Sequence, residues 1–215
     1  TLAHFHLVWP PARGFDEDKI VAYPCGGFDS PSSTRTPFPL TNAPIQLNME
    51  HTAVKGKVLL ATGNSPTGDD FTTVLRQQFQ ENGPDNFCIG GVNVPSSVKA
   101  GDNGTILVLT NGDPSGGLYQ VSSTNEPCQC ADVTFTDAPL STSDYTDHCK
   151  NSTGVTATLF SGAQADASPN GTTTSGGKTS SAASSAASTA AAAKPSSGAG
   201  RVGAWAVGVL GAAGM

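Results

Sequence analysis

The sequence predicts an all-β domain, an antiparallel β-sandwich, followed by a disordered C-terminal tail. Two observations carry the sandwich: short apolar runs that alternate with polar residues, and Gly, Pro, Asn and Asp clusters separating them. A third separates the tail. Residues 161–201 are 41 consecutive positions without Leu, Ile, Val, Met or an aromatic. Such a stretch cannot bury enough apolar surface to offset the entropy of ordering it. What can fold is residues 1–160, the size of one ordinary domain.

In chain order, residues 4–9 (HFHLVW) open with alternation, and residues 45–51 alternate strictly, placing Ile45, Leu47, Met49 and His51 on one face. Further β-rich runs occupy 58–62, 105–110, 118–121 and 131–135, giving about seven short strands in all. Residues 70–81 are the one helical candidate: Phe71, Val74, Leu75 and Phe79 fall at helical spacing, with Asp69 or Asp70 as cap.

The 215 residues are 37% hydrophobic and 13% charged, with a net charge of −6. The charge is uneven: residues 1–160 hold 8 Lys/Arg against 16 Asp/Glu, and residues 161–215 hold 3 against 1. An acidic domain without a basic run argues against nucleic acid as partner and suits a cation. No GxSxG, HExxH or Walker pattern occurs.

Thr1 and Ala3 occupy the −3 and −1 places of a signal-peptidase site, so residues 1–3 read as a signal-peptide remnant and His4 as the mature N-terminus. Residues 202–215 (VGAWAVGVLGAAGM) are apolar and uncharged but shorter than a spanning helix. Small residues (Ser184, Ser185, Ser188, Ala190) and a polar spacer at 194–201 precede them, which matches a glycosylphosphatidylinositol (GPI) anchor signal. Residues 161–201 then form a stalk rich in Ser, Thr, Ala and Gly, open to O-glycosylation. The division expected is thus 1–3, 4–160, 161–201 and 202–215, for a secreted, surface-anchored protein. Sequons at Asn103, Asn151 and Asn170 agree with secretion. Five cysteines, Cys25, Cys88, Cys128, Cys130 and Cys149, predict two disulfides and one remaining thiol. The Cys128-Gln129-Cys130 spacing is too tight for a zinc knuckle.

The chemistry rests on His4, His6, His51 and His148. With a free α-amine, His4 closes a chelate through that amine and Nδ1. A second imidazole completes a T of three nitrogens, a donor set that favours Cu(II). His51, at the end of an alternating strand, is the preferred second imidazole. His6 offers a competing amino-terminal chelate, which needs a loose terminus where the pattern predicts a strand. His148, among Asp144, Asp147 and Asn151, reads as a solvated loop residue.

The segments HFHLVWPPARGF (4–15), YPCGGF (23–28), SSTRTPFPL (32–40), LNMEH (47–51), NFCIGGVNVP (86–95), GTILVL (104–109) and CADVTF (130–135) come in a telling order. Together they resemble the fungal copper acquisition factor type, copper-binding proteins related in fold to lytic polysaccharide monooxygenases (LPMOs). The resemblance covers residue 4 to about residue 151. It implies an immunoglobulin-like sandwich with a copper-binding histidine brace of His4 and His51. It also implies a carboxylate at the metal, for which Asp132 matches. The oxidising monooxygenases tend to carry Tyr or Phe there, and a carboxylate would favour Cu(II) over oxygen activation. Cys128 departs from the pattern and leaves the pairing open; among the other four cysteines, Cys25 with Cys130 and Cys88 with Cys149 is the favoured assignment.

The function expected is copper capture at the cell surface for acquisition or homeostasis, with hand-over to a membrane copper transporter or retention as a buffer, and no catalytic residues. The alternatives are a copper-dependent LPMO and a wall-associated adhesive domain. The LPMO reading is weakened by having only Trp9 and Trp205 for a flat aromatic patch.

Overall fold

The computed structural model describes residues 4–111 and 127–161, all within a compact unit spanning Thr1–Ser175. The signal remnant, the 118–121 strand, Asn170, Trp205, and the stalk and anchor signal beyond residue 161 lie outside the described residues. Among the described residues there are nine strands: β1 (Phe5–Trp9), β2 (Thr36–Pro39), β3 (Ala43–Met49), β4 (Ala53–Thr62), β5 (Thr73–Asn82), β6 (Asp85–Val92), β7 (Asn103–Asn111), β8 (Cys128–Thr136) and β9 (Thr156–Leu159). One short helix, α1 (Thr142–Asp147), starts at Ser141, whose hydroxyl accepts from the Asp144 amide. None of the described helices is long and apolar enough to cross a membrane.

The strands form a three-stranded sheet, β1-β3-β6, facing a six-stranded sheet, β2-β8-β7-β4-β5-β9. All pairings are antiparallel except β2 with β8. The sandwich expected from alternation is therefore present. Ile45, Leu47 and Met49 of β3 are buried as their spacing predicts, and meet Val58, Leu60, Ile106, Val108, Ala131 and Val133 of the larger sheet in one core.

Residues 70–81 are not a helix. A 3-10 turn at Gly68–Asp70 leads into β5, whose buried residues are Leu75, Gln78, Phe79 and Glu81. The β4–β5 register shifts twice, at Gly56/Val58 and Val58/Leu59. Such irregularities reset the inside-outside alternation, so the apolar spacing of a bulged strand imitates a helical face. Phe71 joins a different cluster, on the outer side of the large sheet.

That outer cluster explains residues 10–35. The long β1–β2 connection covers Leu107, Leu109, Cys128 and Cys130 on the outer face, and the Cys25–Cys130 disulfide ties it to β8. A second disulfide, Cys88–Cys149, ties the segment after α1 to β6. Both match the favoured pairing. Cys128 is in neither bond; its buried thiol lies 3.3 Å from the carbonyl oxygens of Ile20 and Ala22.

Glu81 is fully buried on β5, and neither carboxyl oxygen has a hydrogen-bond partner. Desolvation pushes its pKa up to about 7. The folded state therefore holds the proton more tightly than the unfolded chain. Stability from this group is full below the unfolded value of 4.5 and is lost as pH rises through about 7. Relative to Glu81→Gln, the wild type should lose roughly 3 kcal/mol of unfolding free energy between about pH 4 and about pH 8. Urea titrations of both proteins across that range measure the difference directly.

Candidate metal centre

The site lies at the end of the sandwich where β1 begins and β3 turns into β4. His4 immediately precedes β1, and its carbonyl accepts from the Glu50 amide at 3.2 Å, which closes the β1–β3 ladder behind it. His51 stands in the turn after β3. The two imidazoles are neighbours, with ring centres 6.4 Å apart and planes tilted by 59°. Nitrogen–metal bonds of about 2.0–2.1 Å, as imidazole makes to first-row ions, put two rings on opposite sides of one ion at roughly 6 Å between centres. The 6.4 Å separation of the pair is of that size.

Two carboxylates that the sequence reading did not single out approach the same ring. Glu17 lies 3.5 Å and Glu50 3.7 Å from Nδ1 of His4, and Glu50 also reaches Nε2 of His6 at 3.1 Å. His4 is the sheltered member, its side chain 19% exposed against 68% for Glu17 and 45% for Glu50. A sheltered imidazole under an acidic rim is an arrangement that draws in cations. His6 is held in β1 with its ring 4.2 Å from that of Phe15. His148 is not a solvated loop residue: it caps the end of α1 and stacks on Trp9 at 4.9 Å.

Asp132 is not brought to the histidines. It sits mid-strand on β8 opposite Thr105, with its side chain fully buried on the outer face of the large sheet. Arg13 grips the carboxylate with two bonds of 2.8 Å, the Thr105 hydroxyl donates at 2.6 Å and the Ser32 amide at 2.7 Å. Burial alone would raise its pKa, but the bonds from Arg13, Thr105 and Ser32 outweigh that and hold it below the usual carboxylate range. An Asp in mid-strand does need a reason, and the reason here is the Arg13 ion pair, which pins both ends of the β1–β2 connection. Removing one member of so buried a pair costs about 3–5 kcal/mol. Among the described residues, no three or more His, Cys, Asp or Glu side chains form a group that could hold a metal. Of the glycosylation candidates, Asn151 is exposed and accepts from the Cys88 amide, whereas the half-buried Asn103 donates its Nδ2 to Asn64.

Gln129, which carries no signal in the sequence motifs, holds the strand that His4 leads into. Its amide, 2% exposed, donates to the Phe5 carbonyl and accepts from the Leu7 amide at 2.9 Å. These are groups on the free edge of β1, so the side chain completes the strand from the opposite sheet.

Residues 2–154 match the family model described as copper acquisition factor BIM1-like. The chain belongs to the BIM1-like copper acquisition factor family. It is 37% identical over 178 residues to an uncharacterized protein of Aspergillus fumigatus, an alignment covering 80% of this chain and 68% of that one. It is 42% identical over 74 residues to copper acquisition factor BIM1 of Cryptococcus neoformans, covering 34% of this chain and 33% of the relative. It is 29% identical over 170 residues to the lytic polysaccharide monooxygenase-like protein X325 of Yarrowia lipolytica, covering 76% of this chain and 59% of that protein. Membership gives the protein a copper-related role and accords with the histidine pair, since imidazole nitrogens are good copper donors.

Replacing Gln129 by Leu should leave the β1 edge groups without partners. The expected result is faster hydrogen exchange at the Leu7 amide, by at least tenfold, and a loss of about 1–3 kcal/mol in stability, both measurable by exchange mass spectrometry and denaturant unfolding.

Proposed function

We propose that this protein is a secreted, cell-surface Cu(II)-binding protein in which the α-amine and Nδ1 of His4, with the imidazole of His51, form a histidine brace. It serves copper acquisition or homeostasis rather than oxidative polysaccharide cleavage. The observation that carries this reading is the His4–His51 pair, 6.4 Å between ring centres, under the Glu17 and Glu50 carboxylates. Copper is the cargo. Cleavage between Ala3 and His4 frees the amine, and the acidic rim raises the local concentration of cation. The sequence of residues 161–215 supports display on a stalk with a GPI anchor, which brings the loaded site to a membrane copper transporter.

An oxidative reading has the name of the Yarrowia relative in its favour. Against it, Trp9 is buried, and Phe15 is the one aromatic among the large hydrophobic residues exposed in the described structure, so a platform for a crystalline polysaccharide is not apparent there.

Copper titration of the mature protein should give one tight equivalent. His51→Ala is expected to weaken it at least a hundredfold, about 2.7 kcal/mol, and His6→Ala less than about tenfold. The reverse order, followed by EPR, would establish an amino-terminal chelate through His6 in place of the brace.

A further inference from the structure

We propose that the cleft between β6 and the β5–β9 edge is a binding site for a small carboxylate with an apolar body, of the size and kind of benzoate. The topology creates the cleft. Among the described residues, three strands facing six leave the flank of the larger sheet uncovered, and every residue of β9 is exposed, Leu159 by 58%. Ala157 and Leu159 pair with Glu81 and Phe79 and so share the core-facing side of that sheet. With Phe87 and Ile89 of β6 they wall a cavity of about 140 Å³ that also contains Arg76.

Arg76 gives the cavity its chemistry. One terminal nitrogen donates to the Gly90 carbonyl at 2.6 Å, but Nε is buried without a hydrogen-bond partner, and no described carboxylate forms an ion pair with this guanidinium. Burial lowers its pKa, the mark of a cation short of compensation. Buried donors left unpaired are few in native proteins, and each calls for an explanation. A carboxylate supplies the missing charge and the acceptor, and guanidinium–carboxylate bonds are among the strongest available. The walls demand an apolar body, and an apolar cavity of about 150 Å³ accommodates a benzene ring. Highly charged anions such as phosphate fit poorly beside phenylalanine and leucine with a single cation. The cavity shares no residue with the histidine pair, so the proposal stands independently of copper.

The full chain is titrated with benzoate and with benzyl alcohol, which has the same ring and no charge, and amide shifts are followed by NMR. Benzoate should shift Ile89, Gly90 and Leu159 and bind at least tenfold more tightly than the alcohol. Arg76→Gln should remove that preference. Leu159→Trp, at an exposed edge-strand position, should fill the cavity and abolish binding of both probes without loss of the fold. Equal affinity for the two probes, no binding of benzoate, or benzoate binding unchanged by Leu159→Trp would overturn the proposal.

Discussion

The side-chain amide of Gln129 joins the two sheets at the point where the molecule most needs them joined. β1 is a five-residue edge strand paired on one side only, by β3. Short edge strands near a chain end fray readily, and a fraying β1 would carry His4 away from His51. By taking the Phe5 carbonyl and the Leu7 amide, Gln129 gives the free edge of β1 the partners that a further strand would supply. In a buried setting those bonds have no water to replace them, so the strand that follows His4 is held at its free edge.

The same logic governs the outer face. The β1–β2 connection has little regular structure, yet it carries Glu17 to the His4 ring. It is fastened by the Arg13–Asp132 ion pair near its start, the Cys25–Cys130 bond in its middle and the Ser32 contact to Asp132 near its end. Arg13 also holds the carbonyls of Phe28 and Asp29. A loop so held presents its carboxylate with little conformational freedom left to lose when a cation arrives. The fold thus places an imidazole pair beside an exposed acidic approach.

Alternation, β-rich apolar runs and turn residues were enough to read the sandwich: β3 shows the alternating core face, and β7 and β8, buried on both faces, read as continuous apolar runs. They failed at β5, where register shifts give a strand the spacing of a helix. The histidine pair was legible because both residues flank strands recognised in the sequence. The carboxylates around it were not, since Glu17 reaches the site through a loop whose path depends on distant contacts. Asp132 was singled out for the correct oddity, a strand-breaking acid in mid-strand, but its partner Arg13 lies 119 residues away and no local pattern connects them. Gln129 shows a readable sign in retrospect: it shares a face with Ala131 and Val133, which places a large polar group in the core, where it must find partners.

Whether copper is held by the α-amine of His4 is tested most directly by comparing Cu(II) EPR spectra of the chain beginning at His4 and the same chain beginning at Thr1. The free amine should give a tetragonal spectrum with three nitrogen donors, and the extension should abolish that signature and weaken binding while the fold is unchanged. Identical spectra and affinities for the two forms would contradict the brace and place the copper elsewhere.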